Sequence, residues 1–316
     1  MQAARAESSG EGAAQSASRY CKKKKRSLQK EEKIAAKERT GLGMTALGMT
    51  TLGMSAKQRT KVLLKETFPS VWLRWHLMHQ PKTAEQELFY LDRIVPQGAI
   101  TVDVGANCGL YTRKLARLSR RVYAFEPSHQ MADLLRRTSA SNVSVHEIAL
   151  SDQTGNAELF IPQDGYQLIH GLASLERAVN GASKAVASIN VPTARLDSIV
   201  RRDVAFVKID VEGHELNVLN GAIELLELSQ PVFLVEAEDR HREQATQSIF
   251  DFFEARSYRG FFLKDGYAFS TRQFSSTELQ DASNLLPDGG RKRGQSYVNN
   301  FFFFPPHLDG ESILNS

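Results

Sequence analysis

Thr101-Val102-Asp103-Val104-Gly105-Ala106-Asn107-Cys108-Gly109 is a run of strand formers that ends in glycines, and it runs into Leu110–Leu118, whose spacing is helical. A glycine turn from strand to helix lets backbone approach a ligand closely and aims helix N-terminal amides at it. Gly105 and Gly109 fit that part. Asp103 is a carboxylate near the end of an otherwise apolar strand. A buried charge needs a partner, which a cationic ligand group would supply, and Asn107 is placed to hydrogen-bond the same part of the ligand.

Four more strand ends carry polar residues. Phe125-Glu126-Pro127 puts Glu126 21 residues after Gly105, the place of an acid that holds ribose hydroxyls in nucleotide sites. Ile148-Ala149-Leu150 offers an apolar wall for an adenine, with Ser151 and Asp152 near its amino group, although Ser-Asp-x-x-Gly is also ordinary turn chemistry. In Val204–Val211 the alternation of a strand puts Lys208, Asp210 and Glu212 on one side. Such a cluster either marks a site or forms a structural ion pair. Glu236 closes the next strand, with Glu238 beside it.

A dinucleotide fingerprint would need glycine two and five positions after Gly105, where this chain has Asn107 and Leu110. An acidic site also repels a pyrophosphate. S-adenosylmethionine has no phosphate and bears a sulfonium, so the sign of the site favours it over NAD. Asp210, Glu212 and Glu236 are the candidates to receive a proton from a hydroxyl acceptor, with His214 as an alternative. The carboxylates could also bind a divalent cation, but no metal-ligand spacing stands out and no metal ligand is assigned.

From Gly98 onward apolar strands alternate with helical stretches: Ile100–Val104, Leu110–Leu118, Val122–Phe125, Gln130–Thr138, Val143–Leu150, Val204–Val211, Glu215–Leu226, Val232–Val235 and Arg240–Ala255. Repeated βα units predict an α/β fold with a mostly parallel sheet and helices on both faces. Ala157–Pro162 with Ser188–Pro192 reads as an inserted strand pair. Tyr258–Leu263 with Tyr297–Phe304 reads as a closing antiparallel pair.

These residues resemble the FkbM family of S-adenosylmethionine-dependent methyltransferases. The likeness runs through Asp103–Thr112, Phe125-Glu126-Pro127, Ala149–Asp152, Leu172-Ala173-Ser174-Leu175, Leu196-Asp197-Ser198, Lys208–Glu215, Glu236 and Asn300-Phe301. It implies a Rossmann-like class I methyltransferase with a seven-stranded sheet, and most often O-methylation of a hydroxyl on a small molecule or sugar. The linker between Ala173 and Val191 is expected to shape acceptor choice.

The domain reading is a basic low-complexity tail expected to be disordered (1–60), a helical cap (61–97), the methyltransferase domain (98–305) and a C-terminal tail (306–316). The net charge of +4 is uneven: Met1–Lys61 holds 14 Lys/Arg against 5 Asp/Glu, a net of +9, and the rest holds 26 against 31, a net of −5. Leu42-Gly43-Met44, Leu47-Gly48-Met49 and Leu52-Gly53-Met54 head a five-residue repeat that matches neither helix nor strand. Lys22–Arg26 reads as a solvated run or a nuclear signal. Two cysteines give no disulfide framework. No stretch is long and apolar enough to span a membrane and no secretory signal is evident; an intracellular, cytoplasmic location is expected. Two other classes stay open: a nucleic-acid or protein methyltransferase guided by the tail, and a non-catalytic scaffold that binds S-adenosylmethionine.

Overall fold

The computed structural model describes residues 86–316, apart from 165–166, 169, 177–185, 287–291 and 293, together with Thr67, Phe68 and Val71. The tail, the five-residue repeat, Lys22–Arg26 and nearly all of the expected cap before Gln86 lie outside the described residues.

The strands are β1 (Ala99–Val104), β2 (Ser119–Phe125), β3 (Val143–His146), β4 (Ala149–Leu150), β5 (Gly155–Asp164), β6 (Gln167–Leu168), β7 (Val186–Ala194), β8 (Val204–Ile209), β9 (Val232–Glu236), β10 (Arg259–Lys264), β11 (Tyr267–Ser270) and β12 (Asn300–Phe304). The α-helices are α1 (Leu91–Ile94), α2 (Leu110–Leu118), α3 (His129–Thr138), α4 (Glu215–Asn220), α5 (Ile223–Ser229), α6 (Ala245–Glu254), α7 (Ser276–Leu279) and α8 (Gly310–Asn315).

The main sheet runs β11-β10-β12-β9-β8-β1-β2-β3. Its β9-β8-β1-β2-β3 part is parallel. β12 lies antiparallel between β9 and β10, as the closing pair predicts. The sheet has eight strands rather than seven, because β11 folds back on β10 as an extra edge. A second sheet, β4-β7-β5-β6, holds the inserted pair, with β5 antiparallel to β7. The order reverses between β1 and β8, the switch point where ligands bind beyond strand C-termini in such sheets.

Alternation along the strands builds two cores. Val102, Val104, Val207, Ile209, Phe301 and Phe303 face one layer with α4, α5 and α6. Phe206, Leu234, Phe302 and Phe304 face the other with α1, α2 and α8. The four phenylalanines of β12 are all buried, and each such side chain contributes about 1.5–3 kcal/mol of burial.

Three expected elements are shorter. Val143–Leu150 splits, because β3 pairs with β2 while β4 pairs with β7 in the other sheet. Glu215–Leu226 breaks at Gly221, where a Cβ would stand 2.1 Å from the Ser151 carbonyl oxygen. Arg240–Ala255 begins only at Ala245, after Gln244 in the left-handed region. The segment expected as a C-terminal tail ends in α8, whose Leu314 is buried in the second core. Among the described residues no helix is long and apolar enough to cross a membrane.

Candidate active site

A cleft opens at the C-terminal ends of β1, β2 and β8. It is lined by Gly105, Asn107, Glu126, Pro127 and Ile148–Leu150 on one side. Ser174, Leu175, Asp210, Glu212 and His214 are among its other walls. Glu126, Asp210 and Glu212 put three carboxylates on the wall, and no Lys or Arg is among its described lining residues.

Glu126 is held from both sides. The Asn107 amide donates to one carboxylate oxygen at 2.8 Å and the Ser128 amide to the other at 2.9 Å. Asn107 reaches that position with φ 47°, a conformation Asn adopts more readily than most residues. Burial pushes the Glu126 carboxyl up to about 7, against the pull of the two amides.

Asp103 is a correction to the sequence reading. It does not line the cleft. It is buried on the α2 side of β1 and accepts a 2.5 Å hydrogen bond from the Thr112 hydroxyl. It sits in register with Lys208 on β8. Its partners are therefore the protein's own, because strand alternation turns it away from the face that carries Val102 and Val104. Burial raises its carboxyl to about 6, with Thr112 and Lys208 opposing.

Gly105 does have φ +77°, yet its close approach is to protein: a Cβ there would meet the Asp210 carbonyl oxygen at 1.7 Å. Gly109, at φ +87°, leaves room for Leu135 in the same way. Gly105 lets the ends of β1 and β8 converge, which brings Asn107 and Asp210 to one cleft.

Ile148, Ala149 and Leu150 form the expected apolar wall, but Ser151 and Asp152 are not among the lining residues. The Ser151 hydroxyl lies 3.0 Å from His214 Nε2 and donates to Asp152 at 3.0 Å. His214 is buried and its Nδ1 is 2.9 Å from Glu176. The strand-end polar residues here bind one another.

The acids at the ends of β8 and β9 do come together. Asp210, Glu212 and Glu236 each place an oxygen within 4.8 Å of the other two. Lys208, fully buried over the Tyr111 ring, pairs with Asp210 at 3.1 Å. Glu236 accepts from Asn299 Nδ2 at 2.6 Å. Burial first, and Asp210 second, push Glu212 and Glu236 well above the usual carboxylate range. Glu238 shares the Asn299 amide with Glu236 and pairs with Arg240 and Tyr297. Burial raises its carboxyl, but Arg240 outweighs that and holds it down to about 2. Spacing missed one residue, His241, whose Nε2 lies 3.1 Å from Glu212. Its position five residues beyond the end of β9 was the available signal.

The model of the methyltransferase FkbM domain matches residues 103–260, half of the chain. The chain belongs to the FkbM methyltransferase family. This FkbM protein has the α/β fold and mostly parallel sheet that its sequence predicts. It is 26% identical over 166 residues to the methyltransferase sdnD of Sordaria araneosa, covering 41% of this chain and 62% of that one. It is 31% identical over 97 residues to a probable ribosomal RNA small subunit methyltransferase A of Pyrobaculum aerophilum, covering 30% and 41%. This FkbM chain thus spans less than two-thirds of these curated relatives. A crystal structure of the methyltransferase FkbM of Methylobacillus flagellatus aligns with 18% identity and a TM-score of 0.40, covering 66% of this chain and 44% of that one.

Proposed function

We propose that this methyltransferase transfers a methyl group to a hydroxyl oxygen of a small molecule or sugar, and that the cleft between β1 and β8 is the site. The observation that supports this most is the make-up of the cleft wall, which carries Glu126, Asp210 and Glu212 and no described Lys or Arg. A cationic nucleoside without phosphate fits that charge, and a dinucleotide does not.

S-adenosylmethionine, when bound, supplies an electrophilic methyl group on a sulfonium that leaves as a neutral thioether. The chain's own residues would do the rest. Glu126 keeps lone pairs for two ribose hydroxyls, oriented by the Asn107 and Ser128 amides. Ile148, Ala149 and Leu150 give the adenine an apolar wall. Asp103 and Thr112 act behind this wall by fixing the turn into α2. At the other end Asp210 is one-third open and carries the Lys208 ammonium at 3.1 Å. It is the acid placed to take the hydroxyl proton as the carbon–oxygen bond forms. In-line displacement at carbon leaves much of the rate to positioning.

Incubation of the full chain with small-molecule extracts and deuterated-methyl S-adenosylmethionine, read by mass spectrometry, tests the acceptor class. A labelled hydroxyl metabolite supports it, and label confined to nucleic acid or protein overturns it. The +9 charge of Met1–Lys61 favours one second reading, a nucleic-acid acceptor. That reading predicts label in the RNA or DNA fraction.

A further inference from the structure

We propose that the corner where α2 runs into β2, carrying Arg117, Arg120 and Arg121, is a docking surface for the phosphate backbone of a nucleic acid. It lies away from the cleft. The inference does not rest on the methyl-transfer reading, because a strand anchored at this corner need not be the methyl acceptor.

The chain changes character here. Between Asp103 and Glu126 it holds Arg113, Lys114, Arg117, Arg120 and Arg121 and no acid. The whole chain beyond Lys61 is net −5, so this positive charge is local. Arg117 stands in the last turn of α2. β2 follows at once, and Arg120 and Arg121 are both exposed before Val122 enters the core. β3 pairs with β2 only from Val122 onward, so it covers neither arginine.

Most basic residues near this corner are matched by acids. Lys114 pairs with Asp92 at 2.5 Å, Arg136 with Glu147 at 2.7 Å and Arg137 with Asp133 at 3.3 Å. Among the described residues, none of the ion pairs involves Arg117, Arg120 or Arg121. The helix dipole gives Arg117 a structural reason to be cationic, but it gives none to the other two. Arg121 lies 5.4 Å from the Tyr123 ring centroid. That contact holds the side chain in place and leaves its charge unmatched.

Residue type selects the partner. All three are arginines, whose planar fork meets a phosphate through two N–H groups. A lipid surface also offers phosphate, but a helix that lies on a membrane presents an apolar face to it. The apolar side of α2, Tyr111, Leu115 and Leu118, is buried in the core. No large apolar side chain between Asp103 and Glu126 is exposed. A surface that is positive and not apolar fits a nucleic acid, and the +9 charge of Met1–Lys61 adds to the same attraction. Arg120 and Arg121 begin β2, whereas the cleft opens beyond its other end. At about 3.3 Å per residue, Arg120 and Glu126 are about 20 Å apart.

The test is fluorescence anisotropy of the full chain with a labelled single-stranded RNA of mixed sequence and, separately, a labelled DNA duplex. The variant carrying Arg117→Ser, Arg120→Ser and Arg121→Ser should bind about tenfold or more weakly at about 0.1 M salt. Its slope of log affinity against log salt should fall by about two. Loss on either nucleic acid supports the surface and identifies which one it takes. The melting temperature should stay within about 2 °C of wild type, because the substitutions are exposed. If the triple variant does not fold, Arg120→Ser and Arg121→Ser are read singly, each lowering the slope by about 0.7. A second variant with Lys22–Arg26 all changed to Ser measures the tail's share. If that variant loses all binding while the arginine variant keeps wild-type affinity, the tail alone is the contact and the proposal fails. No saturable binding of either nucleic acid, an unchanged slope in the arginine variant, or binding only to phosphatidylserine vesicles also overturns it.

Discussion

The Ser174 hydroxyl donates a 2.6 Å hydrogen bond to the carbonyl oxygen of Glu212, and Glu212 holds a left-handed backbone at φ 52°. Ser174 itself is pinned to β5 by paired backbone bonds with Phe160 at 2.8 and 3.0 Å. The second sheet thereby fixes an acid that belongs to the first. Ser174→Ala leaves the buried carbonyl without this donor and the Glu176 amide without its acceptor. Urea unfolding should show a loss of about 1–3 kcal/mol. An unchanged midpoint would mean that the bond carries no weight.

Gly105 allows no side chain. Gly105→Ala places a Cβ 1.7 Å from the Asp210 carbonyl oxygen at φ +77°. Overpacking and the left-handed backbone together should cost about 2–5 kcal/mol. Recovery of soluble protein with wild-type stability would show that β1 and β8 can separate freely, and the cleft geometry would then be wrong.

Glu126 makes stability depend on pH. Its folded pKa is raised from 4.5 to about 7, burial being the main cause. The folded state then binds the proton more tightly than the unfolded chain. The contribution is full below about 4.5 and is lost as pH rises through 7. Between pH 5 and 7.5 it should fall by about 2–3 kcal/mol in the ligand-free protein. Glu126→Gln removes this slope, and subtracting the two urea series cancels every other titrating group. Parallel series would contradict the buried carboxyl.

Much of this was legible from residue types. Alternation in β1, β8 and β12 and the run Phe301–Phe304 set the strands and both cores. The acids at strand ends marked the cleft. Pairing was not legible. Nothing in Val143–Leu150 tells that its two ends serve different sheets. Nor does spacing reveal that Glu236 and His241 return to meet Asp210 and Glu212, because that convergence depends on the parallel neighbours β8 and β9. Asp103 illustrates the opposite error: a strand-end acid looks like a ligand-binding group until the face it points to is known.

The aromatic core gives a further measure. Phe253 and Phe303 stack with centroids 4.0 Å apart at 11°, joining α6 to β12. Phe303→Ala should cost about 3–5 kcal/mol in urea unfolding, with binding in the distant cleft retained once the protein is folded. A loss below about 1 kcal/mol would show that α6 repacks readily.

Calorimetric titration of the full chain with S-adenosylhomocysteine and, separately, with NAD+ tests the character of the cleft most directly. Saturable heat with the sulfur nucleoside, none with NAD+, and about tenfold or greater weakening by Glu126→Gln are predicted, the last from loss of charge-assisted bonds to ribose. Binding of NAD+ with indifference to S-adenosylhomocysteine would contradict it.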